Sequence, residues 1–568
     1  MTSFKITSLR AINELPRVDP AKWLRGVEES IRFLVDHAQQ EEIVIYASGK
    51  HVLIHGVLAP IANLNPPDSD DLQHSMFPGQ EEGWAIQRVY GGGEGHRIYL
   101  EPPLRSKSFV GGEKLIFRRT FDGVQKGRAP IELSQKLVHS LGIYFVPERN
   151  AYCRLDERGD IEDVIRVTNF RYDNGEETLD CVTILRTDLD KFMALSGTAL
   201  VLRFDFTRVD YGKFLGWGDI QRFTKEEDHL FVHGGVDKLG SYANGAYIVR
   251  PQVTVDQLVQ AWKDEESGAN RQYAAFKIFD RKTNRNVETS CAPGSITNYF
   301  TKNDLPWEIS PAFFRPEVLT KYKADPEKYT MDERSIGCRG TWYLKSYDIN
   351  EEGLVHAYIG DLQRLPFEEQ LHWLSCNVWP KGVISARAHQ TDIVGDFHTE
   401  YDALQSLKYA VVQVEKHQPA WWKKRGDAIS DASRYPATDS PKEWADEVLH
   451  LDQFLVEGFL LAPLRKIGED LTGQEIDQSF QPLRAVQEIL HAKGMPAAQA
   501  KAAVEPIQRL HGLRSVVRGH ATTDKKQRAE TEARTAHGTF RSHFTQLTKE
   551  CDASFRSIVT ALTGLTLE

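Results

Sequence analysis

Residues 199–211 read ALVLRFDFTRVDY, and this stretch predicts the dominant structure of the first part of the chain. Leucine and phenylalanine occupy every second position from Leu200 to Phe206, while Arg203 and Asp205 lie between them. Successive side chains of a β-strand point to opposite faces, so this alternation places the apolar side chains on one face. The stretch is therefore predicted to be a long strand with one face in a core.

Short runs of the same kind recur on both sides of it. They are rich in Val, Ile, Tyr, Phe and Trp and are bounded by turn-forming residues, as strands are; examples are EIVIYA (42–47), RIYLEP (97–102), KLIFRRTF (114–121), GIYFVP (142–147), AYIVRP (246–251), AAFKIFDR (274–281) and GTWYLKSYDI (340–349). Helical patterns interrupt them near 20–38, 131–141, 255–264 and 315–323. Residues 1–396 are therefore predicted to form a large β-rich body with inserted helices, and a split into two subdomains near 210–270 stays open.

The pattern becomes helical after residue 396. Apolar side chains recur every three or four positions from Tyr401 to Val414, which is the spacing of one face of a helix. The next stretch, QPAWWKKRGDAISDASRYPATDSP (418–441), is polar and contains three prolines. Residues 397–440 are therefore predicted to be a helix followed by a linker, with Trp421 and Trp422 as a docking element.

Four further helical patterns follow between residues 441 and 568. The first begins at a capping box, with Ser440 as N-cap, Pro441 at the first helical position and Glu443 as the third residue. The others cover about 480–493, about 496–517 and, as one long helix, about 525–562. The predicted fold class is α+β and multidomain, in which the β-rich body is followed by an all-α four-helix bundle over 441–568.

Composition limits the class of protein. The chain has 568 residues and a formal net charge of −10, so its overall charge gives no indication of nucleic-acid binding.

No apolar run is long enough for a membrane helix, and the first residues lack the apolar core of a secretory signal, so we expect a cytoplasmic protein without a membrane partner. The six cysteines are scattered and never spaced as C-x-x-C, which predicts reduced, mostly buried thiols. His229 and His233 could converge on a metal ion, but Gly234 and Gly235 more simply indicate a loop, and neither a metal nor a cofactor is expected.

The segment RLHGLRSVVRGHATTDKK (509–526) offers the clearest chemistry. Arg514 and His520 are separated by five residues at the junction of the third and fourth predicted helices. RNA cleavage by its own 2′-hydroxyl needs a base for the hydroxyl proton, an acid for the leaving 5′-oxygen and a cation for the phosphorane. Histidine titrates near neutrality, and arginine keeps its charge and offers a bidentate fork.

An Arg-x(4–6)-His motif in a C-terminal helical bundle resembles the HEPN superfamily, over about residues 440–568. The resemblance implies a metal-independent ribonuclease of bacterial defence or toxin systems, in which two bundles usually pair around one RNA strand. It implies that Arg514 binds the scissile phosphate and that His520 is the general acid/base. Ser515 follows the arginine, where the family often has Asn, Asp or His.

The charge around this motif is locally basic. Residues 506–568 contain ten Lys and Arg against six Asp and Glu, whereas residues 441–505 contain six against eleven. Arg518, Lys525 and Lys526 are the predicted RNA contacts, because lysine and arginine neutralise phosphates. The charge is therefore concentrated where a phosphate would bind.

The resulting hypothesis is a bacterial endoribonuclease of anti-phage defence or growth arrest, controlled by a β-rich sensor. RNA is its expected substrate, a second copy of the chain its expected partner and a phage component its trigger. The alternative is a non-catalytic binding or scaffold protein whose bundle only dimerises and whose β-rich body binds a ligand, nucleic acid or phage protein. A third reading makes the β-rich body an enzyme of another type. The block 309–385 resembles uncharacterised bacterial proteins of similar length, and its Asp361, Glu368, Glu369 and His372 are possible acid/base groups.

Overall fold

The fold comes from a computed structural model that describes residues 20–64, 85–91, 93, 95–101, 113–118, 124, 130–171, 178–268, 270–332, 334–396, 401–519 and 522–565, with Leu9 and Ile12. The chain divides into two compact units, Met1–Arg271 and Gln272–Glu568. The predicted α+β class is confirmed, with a β-rich N-terminal half and a helical C-terminal region. The boundary between the units lies directly after residues 210–270, the range in which the sequence left a split open. The strands after Gln272 therefore belong to the same unit as the C-terminal helices.

In its described residues the first unit contains one large antiparallel sheet and two separate two-stranded sheets. Its strands in chain order are β1 (Glu42–Ser48), β2 (Leu53–Pro60), β3 (Ala85–Val89), β4 (Arg97–Glu101), β5 (Glu113–Lys114), β6 (Ile116–Phe117), β7 (Glu132–Leu133), β8 (Tyr144–Val146), β9 (Ala151–Leu155), β10 (Ile161–Arg171), β11 (Thr178–Leu185), β12 (Thr198–Val209), β13 (Gln221–Glu227), β14 (Leu230–Asp237) and β15 (Gly240–Val249). The main sheet has the order β13-β14-β15-β12-β2-β1-β11-β10-β9-β8, and β5 pairs with β2. The helices are α1 (Pro20–His37), α2 (Gln135–Ser140), α3 (Arg186–Ser196) and α4 (Val255–Ser267).

The predicted alternation is confirmed in β12, near the middle of this sheet. Leu200, Leu202, Phe204 and Phe206 are buried in the main core, whereas Val201 packs in a smaller cluster with Val57, Ala199 and Ile248. Helix α1 packs against β14 and β15. Both faces of the central strands are therefore covered.

The loop expected at Gly234 and Gly235 is wrong, because both glycines lie within β14. A Cβ atom on Gly234 would lie 2.1 Å from the ring of Phe223, so the aromatic ring occupies the space of the missing side chain. On the same strand the Nε2 of His233 lies 3.2 Å from the hydroxyl of Tyr242. Among the described residues, no three His, Cys, Asp or Glu side chains converge as metal ligands would.

The second unit begins with short strands and continues with helices. The strands are β16 (Ala275–Asp280), β17 (Arg285–Ser290), β18 (Pro311–Phe314), β19 (Tyr329–Met331), β20 (Ser335–Cys338), β21 (Trp342–Lys345), β22 (Asp348–Ile349), β23 (Val355–Tyr358) and β24 (Asn377–Val378). The helices are α5 (Thr320–Ala324), α6 (Ile359–Leu362), α7 (Phe367–Cys376), α8 (Ala386–Ala388), α9 (Ala403–His417), α10 (Asp427–Ala432), α11 (Pro441–Leu455), α12 (Leu461–Thr472), α13 (Pro482–Ala492), α14 (Ala497–Val517), α15 (Thr523–His537) and α16 (Phe540–Thr563). None of the helices in the described part of the chain is long and apolar enough to cross a membrane. All six cysteines are free and buried, as predicted.

The four-helix bundle is not confirmed, because the region 441–568 contains more helices than predicted. The expected long last helix is broken into α15 and α16 at Gly538, whose φ of 78° lies in the left-handed region that favours glycine. The apolar stripe of the expected first helix extends in the sequence to Ala462, but the helix ends at Leu455 and α12 follows as a separate helix. Ser440 is the N-cap, but its side chain makes no capping bond; the Glu443 carboxylate instead accepts from the backbone N–H groups of Ala437 and Thr438, both at 2.8 Å.

The segment predicted as a linker, 418–440, is packed into the helical core. Trp421 and Trp422 are 3% and 6% exposed, and the Trp422 ring centroid lies 5.0 Å from that of Phe555 on α16. The N–H of Lys423 donates to the carbonyl of Gly458, and the N–H of Leu460 donates to the carbonyl of Trp421, both at 2.8 Å. The segment is packed despite its polar composition because the burial of its two large tryptophan side chains stabilises the packed state.

Replacing Trp422 by alanine is expected to lower the free energy of unfolding by about 3–5 kcal/mol, because it removes a buried indole from close packing. Urea denaturation followed by circular dichroism measures the change. Trp379 is 45% exposed and serves as the control, with an expected loss below about 1 kcal/mol. Equal, small losses in both variants would contradict the packed state of this segment.

Candidate functional site

Helix α14 carries the predicted arginines beside its buried stripe, on the side that packs against α11. Its buried side chains are Ala500, Val504, Ile507, Leu510 and Val517. His511, Arg514 and Arg518 are spaced three and four residues apart, and side chains at this spacing share one face of a helix. Helix α11 packs against α14, and its acidic residues meet this face.

A buried carboxylate on α11 ties two of these side chains together. The side chain of Asp452 is 2% exposed, its Oδ1 lies 2.9 Å from Nδ1 of His511, and its Oδ2 lies 3.7 Å from Nε of Arg514. Burial raises the pKa of Asp452, while His511 and Arg514 act to lower it. A buried carboxylate is costly without hydrogen-bonding or charged partners. Asp452 therefore holds the His511 imidazole and the Arg514 guanidinium side by side.

The bond to Asp452 leaves the reactive side of His511 open. An ionised carboxylate only accepts, so Nδ1 carries the shared proton and the Nε2 of the neutral ring has a free lone pair. The side chain of His511 is 54% exposed, and that of Arg514 is 35% exposed. The Nε of Arg514 is buried without a hydrogen bond, because 3.7 Å from Asp452 is too long for one. An imidazole oriented by a carboxylate, beside a cation, can transfer protons next to a bound anion.

The other predicted site residues are distributed around the end of α14. Arg518 forms an ion pair with Asp446 of α11. Lys525 and Lys526 lie in the first turn of α15, and Lys525 is exposed. The Ser515 hydroxyl donates to the carbonyl of His511 at 3.0 Å. His520 lies outside the described residues.

Sequence reasoning missed His511 and Asp452. His511 stands three residues before Arg514, and this helical spacing was the signal that could have identified it. Asp452 lies 59 residues away in the chain, so its part in the site depends on the packing of α11 against α14.

The possible acid/base groups of 309–385 have separate surroundings. Glu369 is buried and accepts from Lys321 at 2.5 Å and from the Tyr322 hydroxyl at 2.8 Å. The Nε2 of His372 lies 2.8 Å from the carbonyl oxygen of Val318. Glu368 is exposed. Burial raises the pKa of Asp361 to about 6, although Arg364 and Lys345 lower it.

Replacing Asp361 by asparagine is expected to stabilise the protein at pH 7 but not at pH 4. The folded state holds the Asp361 proton more tightly than the unfolded chain does. Protonated Asp361 therefore contributes to stability at low pH, and this contribution disappears as the pH rises through about 6. The variant should therefore gain up to about 3 kcal/mol in unfolding free energy at pH 7. Urea denaturation at the two pH values measures the gain, with exposed Glu368→Gln as the control. An equal effect of Asp361→Asn at both pH values would contradict the prediction.

Comparisons with protein-family models, with curated proteins and with solved structures gave no match for this chain.

Proposed function

We propose that the C-terminal helices cleave RNA without a metal ion, at a site on α14 that contains Arg514. The main support is that Asp452 holds the His511 imidazole and the Arg514 guanidinium side by side at the surface. These are the two side-chain types that phosphodiester cleavage by the 2′-hydroxyl requires.

Each group has a defined task in this reaction. A histidine takes the proton of the 2′-hydroxyl, and the 2′-oxygen forms a new bond to phosphorus. Arg514 donates to the phosphorane oxygens, where two parallel N–H groups match the charge that develops. The bond from phosphorus to the 5′-oxygen then breaks, and a second histidine protonates that oxygen. His520 is the acid/base that the motif offers, and His511 supplies the other proton-transfer group.

The surroundings are proposed to bind the rest of the RNA strand. Arg518, Lys525 and Lys526 follow Arg514 within residues 506–568, where Lys and Arg exceed Asp and Glu by ten to six. Phosphate contacts of this kind hold the strand without reading its sequence. Pairing of two helical regions, control by the β-rich residues and a phage-derived trigger complete the proposed function in bacterial defence or growth arrest.

A scaffold function is the second candidate, and one observation favours it. Arg514 and Arg518 both form ion pairs with α11, through Asp452 and Asp446, so they also connect two helices. In that case both arginines would act only in helix packing.

Incubation of the purified protein with total RNA, with and without EDTA, separates the two functions. A ribonuclease that uses only side chains keeps its rate in EDTA, whereas a scaffold leaves the RNA intact in both conditions. Cleavage that is lost in EDTA and restored by magnesium or zinc would overturn the proposed mechanism.

A further inference from the structure

A cleft of about 330 Å³ lies between α14, α15 and α16, on a different face of α14 from Arg514. Its floor is apolar, formed by Leu513, Leu547 and the small side chains Ala529 and Ala533. Helix α15 is otherwise strongly polar, and Ala533 is its buried residue among the described ones. The small alanine side chains let α15 pack against its neighbours while leaving space for the cleft. The cleft volume lies in the range of about 300–1,000 Å³ that is typical of small-molecule sites.

The polar wall of this cleft contains two neighbouring histidines. The ring centroids of His537 and His543 are 5.1 Å apart, with an interplanar angle of 80°. The indole N–H of Trp444 donates to Nδ1 of His543 at 3.2 Å. Because an indole nitrogen only donates, the neutral His543 ring must carry its proton on Nε2. Trp444 is fully buried, so this bond fixes the His543 ring from the core side.

Arg509 completes the wall, and the acidic side chains nearby are already engaged. Arg509 forms ion pairs with Glu550 and, at 3.7 Å, with Glu505 four residues before it, and its side chain is 48% exposed. Glu532, the other carboxylate that lines the cleft, pairs with Arg528 at 2.8 Å. Burial, together with His537 and Arg509, lowers the pKa of His543 to about 4, so at neutral pH this imidazole is an uncharged donor through Nε2.

We propose that this cleft binds a phosphorylated small molecule of mononucleotide size, with Arg509, His537 and His543 as donors to the phosphate. The arginine fork and two imidazoles are donors suited to a phosphate dianion. The apolar floor and the volume leave room for an attached ring, which a bare phosphate would not fill. The inference does not depend on RNA cleavage at Arg514, because it uses other residues on another face of α14.

Calorimetric titration of the purified protein with AMP, UMP, adenosine and inorganic phosphate tests this site. The expected result is saturable binding of at least one nucleotide, with adenosine and inorganic phosphate at least about tenfold weaker. Arg509→Gln and His537→Gln should each weaken nucleotide binding about 10–100-fold, because each removes a charge-assisted or polar donor. Arg484→Gln is the matched control, since Arg484 is 47% exposed and also pairs with a glutamate four residues away; its affinity should equal that of the wild type.

Histidine imidazole signals in NMR spectra give a second measurement. The signals of His537 and His543 should shift on addition of the nucleotide and stay unchanged with adenosine. The proposal is overturned if neither nucleotide binds, if inorganic phosphate binds as tightly as the nucleotides, or if both cleft variants bind like Arg484→Gln. RNA cleavage by these variants is measured separately, so loss of one activity is distinguishable from loss of the other.

Discussion

RNA cleavage by the Arg514→Ala variant is expected to be about 10²–10³-fold slower than that of the wild type, the usual cost of removing a donor to a developing oxyanion. The loss should be in kcat, because the guanidinium is needed most when charge builds on the phosphorane. Arg514→Lys should not restore the rate, since an ammonium group cannot replace the bidentate fork. Single-turnover cleavage of a labelled RNA measures both variants.

Arg518→Ala is the internal control for this experiment. Arg518 shares a face of α14 with Arg514 but is proposed to contact the RNA backbone only, so its loss should raise KM with little change in kcat. Thermal unfolding must show that both variants fold, because Arg514 also neutralises the buried Asp452. If Arg514→Ala folds and keeps the wild-type rate, the guanidinium acts only in helix packing.

Removal of either proton-transfer group is expected to slow cleavage about 10²–10⁴-fold. His520→Ala and His511→Ala should each remove one limb of the bell-shaped dependence of kcat/KM on pH, because one supplies the base and the other the acid. His511→Ala also removes the hydrogen bond to the buried Asp452, so thermal unfolding must show that this variant folds. His491→Ala, an exposed histidine at the end of α13, is the control and should leave the profile unchanged.

Asp452→Asn separates orientation from proton transfer. Asparagine keeps the shape but does not stabilise a charged imidazole, so kcat should fall while KM stays the same. A variant with an unchanged rate would mean that Asp452 is only a partner for buried charges. If His511→Ala keeps full activity while His520→Ala is inactive, His511 takes no part in the mechanism.

Local patterns were good predictors of the elements of this fold. The alternation from Leu200 to Phe206 lies within β12, and the helical stripe after Tyr401 is α9. The thiols are buried as expected from their scattered spacing. Each of these features depends on side chains that are close in sequence, and periodicity reports such features directly.

The features that were missed depend on contacts between distant residues. Trp422 is in the core because Gly458 leaves space for its indole, with a Cβ there only 2.4 Å from the ring. The Asp452–His511 bond spans 59 residues, and no local pattern indicates that it forms. Gly538 was a visible signal for a helix break, but the apolar repeat that begins at Phe540 favoured one long helix over the whole segment.

The chemical ends of the RNA products give the most direct test of metal-independent cleavage through the 2′-hydroxyl. The purified protein is incubated in EDTA with an RNA of defined sequence, and the products are analysed by mass spectrometry. Cleavage by the proposed mechanism yields a 2′,3′-cyclic phosphate on one fragment and a 5′-hydroxyl on the other, and a single 2′-deoxy substitution at the cleaved position abolishes it. Products with a 5′-phosphate, or undiminished cleavage at the 2′-deoxy position, would contradict it.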